Sequence, residues 1–157
     1  MNSLSYAELY TSKADQLTLG NALELHYQFN PQFTRWDLYS SSEAKDLIKA
    51  HDISHVIFGC DTGLLGELQV QIWSKFAIAP LSLTDKIRYG RDKESRVLLK
   101  NPIGYRKMIV FFIRNFGEVK RIRARCSAMR KKWPYLNGEK YFSTKLREIR
   151  SDFGIVL

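Results

Sequence analysis

The sequence predicts an all-α, single-domain helical bundle. Apolar residues recur at three- and four-residue spacing along most of the chain, which is the period of a helix with one buried face. The breaks between these stretches carry helix start and stop signals, such as Ser40-Ser41-Ser42-Glu43, Gly59 and Pro80. At 157 residues, 45% of them hydrophobic and 26% charged, the chain is sized and composed for one domain with a proper core.

In chain order, Tyr6, Leu9, Tyr10, Ala14 and Leu17 predict a first helix over about 6–19, stopped by Gly20. Residues 21–29 alternate enough for a strand, but Ala, Leu and Glu tip them to helix, and Asn30-Pro31 breaks it. Residues 35–39 form a connector with two aromatics. The Ser40–Glu43 signal starts a helix whose apolar face is Ala44, Leu47, Ile48 and Ile53 and which should run to about residue 58. The next helix spans about 64–79, with a core stripe of Leu65, Leu68, Ile72 and Phe76. A short helix over 83–89 and a turn at Gly90 follow. Pro102 opens the longest helical stretch, 103–132, bent at Gly117; its run 108–113 is apolar on every side and reads as the central buried helix. A last helix over 143–153 is capped by Gly154.

Residues 51–67, His-Asp-Ile-Ser-His-Val-Ile-Phe-Gly-Cys-Asp-Thr-Gly-Leu-Leu-Gly-Glu, carry the chemistry. His51 and His55 are one turn apart on one helix face, so both imidazoles can reach one ion. Asp52 can approach it from the side, and Glu67 can supply a fourth ligand if the next helix folds back. His51, Asp52, His55 and Glu67 are therefore the candidate ligands, and a mixed His/carboxylate set suits a divalent metal, zinc first. Each also has a plain reading: a histidine pair one turn apart arises by chance, and Glu67 could be a solvated flank residue. Cys60 and Cys126 make no disulfide framework; Cys60 could approach the ion but reads more simply as a small buried residue. His26 has no ligand-type neighbour at ligand spacing and reads as structural.

His51-Asp52-x-x-His55, eleven intervening residues, then Glu67 resembles the H-D-x-x-H…E signature of the coenzyme Q (ubiquinone) biosynthesis protein Coq-four family. The turn Gly59-Cys60-Asp61-Thr62-Gly63-Leu64-Leu65-Gly66-Glu67 resembles that family's as well. More loosely, Leu146, Arg150, Gly154 and Ile155 fit its closing pattern, while 1–40 match nothing in it. The resemblance implies an all-helical fold, a metal on the four residues above, and a prenylated quinone precursor or isoprenoid lipid in a greasy groove. It also implies a role in ubiquinone biosynthesis, either in oxidative decarboxylation of the polyprenylated ring or in organising other biosynthesis proteins. Phe111, Phe112, Ile113 and Phe116 are candidates for the groove wall, with core packing as their ordinary alternative.

Charge adds a partner expectation. The net +9 is lopsided: residues 1–100 hold 11 Lys and Arg against 12 Asp and Glu, and 101–157 hold 14 against 4. Over 117–132, seven cations stand with the single anion Glu118, a face suited to an anionic membrane surface. No helix-turn-helix, zinc-finger or stacking-platform signature is present, so nucleic acid is a poor fit. No apolar run approaches the roughly 20 residues of a membrane span, and the N-terminus has neither a secretory nor a mitochondrial leader pattern. The expectation is a cytoplasmic, peripherally membrane-associated protein, bacterial rather than organellar, with a homodimer left open. Two other functions fit the same residues: a metal-dependent hydrolase in which Asp52 replaces the general-base Glu of H-E-x-x-H, and a non-catalytic scaffold with a structural metal.

Overall fold

The structure is a computed structural model, which describes residues 4–95, 110 and 113–157. It is all-α. Among the described residues the helices are α1 (Tyr6–Leu9), α2 (Leu19–Phe29), α3 (Ser42–Phe58), α4 (Leu64–Ala77), α5 (Leu83–Arg91), α6 (Phe116–Ala128) and α7 (Leu146–Phe153), with 3-10 turns at Ser12–Gln16, Trp36–Leu38 and Tyr135–Tyr141. Among the described residues, extended pairing is limited to isolated bridges, Thr18 with Lys145 and Ile78 with Trp133.

The axis of the bundle is α3. Ser41 caps it by accepting the Ala44 amide at 3.1 Å, and Gly59 ends it in the left-handed region at φ 64°. A side chain at Gly59 would be strained by that φ and would also meet the Tyr10 carbonyl at 2.6 Å. Every residue from Ile53 to Phe58 is buried, because α2, α4 and the Tyr135–Tyr141 turn surround the end of the helix. Phe58 stacks on Trp73 of α4 with ring centres 4.6 Å apart, and α4 in turn lies along α6.

Arg150 of α7, buried to 5% exposure, ties the two ends of the chain to this axis. Its guanidinium donates to the Val56 and Ile57 carbonyls in the last turn of α3, which have no partner further along the helix. The same group pairs with Asp15. Lys49, also buried, pairs with Glu139 and lies 4.3 Å over the Trp36 ring.

Several expected elements differ. The first helix breaks after Leu9, and Gly20 does not stop it but sits inside α2. Thr18 caps α2 by accepting the Asn21 amide, and the Leu19 and Gly20 amides donate to Thr144 and Phe142. The orphan donors of the helix start are thus met by the segment before α7, and this pairing also delays α7 to Leu146. On α4, Leu65 is 44% exposed; the inward face runs through Gly66, Val70, Trp73 and Ala77, with Leu68 and Ile72 beside it.

The stretch expected as one central helix breaks at Asn115 (φ −112°, ψ 31°), and α6 ends at Ala128. Val110, Ile113 and Phe116 are 51%, 71% and 60% exposed, so burial on every side does not hold for them. Phe111 and Phe112, expected in the groove wall, lie outside the described residues, as do 103–109.

Candidate metal centre

Three local features bring Glu67 to the histidine pair. Gly59 turns the chain, and the Cys60 amide returns to the His55 carbonyl at 2.9 Å. The Asp61 side chain then accepts the Gly63 amide at 2.8 Å, setting up the start of α4. Gly66 permits the last step, since a Cβ there would lie 1.9 Å from the Asp61 carbonyl oxygen. With no side chain at 66, the first turn of α4 presses against the Asp61 turn and points Glu67 back at α3. A carboxylate in the first turn of a helix also sits favourably in the helix dipole.

His51, His55 and Glu67 each offer one ligand atom to a group in which all atoms lie within 4.8 Å. The two Nε2 atoms are 3.1 Å apart. His55 Nε2 lies 3.3 Å from Glu67 Oε1 and His51 Nε2 lies 3.6 Å from Oε2. Tetrahedral zinc with bonds of 2.0–2.2 Å separates its donor atoms by roughly 3.3 Å, so these spacings suit a small divalent ion.

The protonation pattern points the same way. His55, 1% exposed, has its Nδ1 within 2.9 Å of the Cys60 carbonyl and 3.1 Å of the Asp61 carbonyl. Carbonyls only accept, so Nδ1 carries a proton, and Nε2 is the atom turned toward the other two groups. This is how ligating histidines are commonly oriented from behind. Two imidazole nitrogens and a carboxylate cannot converge without a proton or a cation between them. Burial opposes charge on His51, but the hydrogen bond and charge of Glu67, with Asp52 adding to them, raise its pKa overall. Burial pushes Glu67 up, yet its hydrogen bonds and attraction to the two histidines outweigh this and hold it at about 2.

Asp52 is placed differently. Its carboxylate is not part of the three-residue group; it accepts a 2.5 Å hydrogen bond from the Tyr27 hydroxyl. It lines the same cavity of about 150 Å³ as His51, His55 and Glu67. Burial raises its pKa, against the Tyr27 hydrogen bond and the nearby histidines. Cys60 is also outside the group: its thiol donates to the Phe58 carbonyl at 3.5 Å, and burial pushes its pKa well up.

His26 of α2 lines this cavity too, with its ring centre 5.7 Å from that of His55. Its Nδ1 is 3.0 Å from the Tyr10 hydroxyl, which accepts from Asn30, and Asn30 accepts from Thr62. Burial, then the neighbouring histidines, lower the His26 pKa to about 3, so the ring is neutral. Neither His26 nor Tyr27 carries a local signal, because each meets the site only through the packing of α2 on α3. A single sequence read by helical spacing has no access to that contact.

Comparison of the chain with protein-family models, curated proteins and solved structures found no match in any of the three. Among the described residues no helix is long and apolar enough to cross a membrane.

Proposed function

We propose that this chain is a divalent-metal protein of the Coq-four kind, holding zinc on His51, His55 and Glu67. It would bind a prenylated quinone precursor at an anionic membrane surface. The observation that carries the metal is the convergence of three ligand atoms around a His55 whose tautomer is set from behind by two carbonyls. The substrate class rests on the resemblance of residues 51–67 to that family's signature, now joined by an all-α fold.

Three protein donors, rather than four, leave a bound ion free to take a further ligand, which favours chemistry at the site over a purely structural metal. Bound there, a divalent ion would supply Lewis acidity toward a ring carboxylate or phenolate. Asp52 is held by Tyr27 beside the group and can take or give a proton at its free oxygen. The same arrangement supports the hydrolase reading, because a carboxylate next to, but outside, the ligand set is where a general base would sit. Lys120, Arg121 and Arg123 of α6, with Arg130, Lys131 and Lys132, are exposed and supply the basic face.

The test is co-flotation of the protein with vesicles containing a prenylated hydroxybenzoate. Anionic vesicles should carry the protein at low salt and release it as salt rises, and the prenylated acid should raise retention only in metal-loaded protein. Equal binding to neutral vesicles contradicts the electrostatic docking, and retention indifferent to both acid and metal contradicts the substrate assignment.

A further inference from the structure

A second cavity, of about 350 Å³, opens between α4, α6 and the Thr11–Ser12 turn. That volume falls in the range of small-molecule sites. It shares no ligand with the metal group; Cys60 lines it while Thr62 lines the metal cavity, so one turn borders both. Its apolar walls include the stacked Phe58–Trp73 pair and Ile122, which is 1% exposed.

The charges facing it are uneven. Arg121 pairs with Glu118, and Glu118 also accepts a 2.8 Å hydrogen bond from Gln69 of α4, so that carboxylate is committed twice. Arg125 lies one turn further along the same face of α6 and is half-buried. Among the described residues it has neither an ion-pair partner nor a side-chain hydrogen bond. A guanidinium partly removed from water without a carboxylate is an unfavourable arrangement. Its forked donors match the oxygens of a carboxylate or phosphate, which would supply what the protein does not.

We propose that this cavity binds a small organic anion with an apolar body, the head group on Arg125 and the body against Phe58, Trp73 and Ile122. The anion would enter beside the already neutralised Arg121–Glu118 pair, with Arg125 as the cation it meets.

The probe is hexyl phosphate, with hexanol and inorganic phosphate as separate arms, followed by NMR at the Trp73 indole, the Gln69 amide and the Arg125 guanidinium. Hexyl phosphate should saturate, shifting all three groups, and bind at least tenfold tighter than either fragment. Arg125→Gln should lose tenfold or more in affinity, Arg125→Lys should recover part of it, and Arg147→Gln on the exposed side of α7 should change nothing. Far-UV circular dichroism checks that each variant is folded. Equal binding of hexanol would overturn the anion assignment, and equal binding of inorganic phosphate would overturn the apolar body. Wild-type affinity in Arg125→Gln, or shifts spread over Lys120 and Arg123 instead, would overturn the site.

Discussion

Replacing Gly66 with alanine tests how the metal group is built, because the change adds one methyl and removes no ligand. The new Cβ would lie 1.9 Å from the Asp61 carbonyl oxygen and 2.5 Å from its side-chain oxygen. Ordinary contact begins near 3.4 Å, so α4 and the Asp61 turn must separate by roughly 1.5 Å or rearrange. Overpacking of this kind costs about 1–3 kcal/mol, which for a domain of this size lowers the melting temperature by roughly 2–12 °C. Glu67 is the next residue, and the Asp61 carbonyl also accepts from His55, so both move out of register. Metal affinity should fall by about 10–100-fold, the scale seen when groups supporting metal ligands are disturbed.

Gly90→Ala is the control. It lies inside α5 with nothing within 4 Å of the added Cβ, and should stabilise by about 0.5–1 kcal/mol. Thermal melts and metal titration followed by calorimetry measure both. A Gly66→Ala protein that melts and binds metal like wild type would refute the close approach of α4 to the Asp61 turn.

Stability should decline in acid through His26. Its folded pKa of about 3 lies below the ordinary 6.5, so the neutral ring's contribution is complete above pH 6.5. That contribution is lost as pH falls toward 3, at no more than about 1.4 kcal/mol per pH unit. Glu67, depressed to about 2, adds a loss of the same sign below pH 4.5. Urea midpoints for wild type and His26→Gln at pH 7, 5.5 and 4.5 should therefore converge as pH drops; parallel curves contradict the burial argument. Arg150→Ala should cost about 3–5 kcal/mol, since it strips the Val56 and Ile57 carbonyls of a donor and leaves Asp15 without its cation. An unchanged urea midpoint would show that α7 is not stapled to α3 in this way.

The parts of the fold legible in the sequence are those set by neighbours in the chain. α3 was readable from end to end because Ser41 and Gly59 act locally, one by accepting an amide three residues on and the other by its φ. The His51–His55 spacing and the return of Glu67 follow from one helix and one turn, and were readable for the same reason.

What was not readable depends on distant partners. The inward face of α4 turns on the contact of Gly66 with Asp61, which pushes Leu65 outward against its hydrophobicity. The start of α2 and the late start of α7 depend on each other, through Thr18, Phe142 and Thr144. Asp52 looked equivalent to the other candidate ligands by spacing, yet the Tyr27 hydroxyl on α2 holds its carboxylate beside the three-residue group.

The most direct measurement is the metal content of protein purified without added metal, alongside His55→Ala, Glu67→Ala and Asp52→Asn. Wild type and Asp52→Asn should carry near-stoichiometric divalent metal, zinc foremost, and both His55→Ala and Glu67→Ala should lose it. A wild-type protein that is folded, metal-free and takes up no divalent ion on titration would contradict the metal assignment.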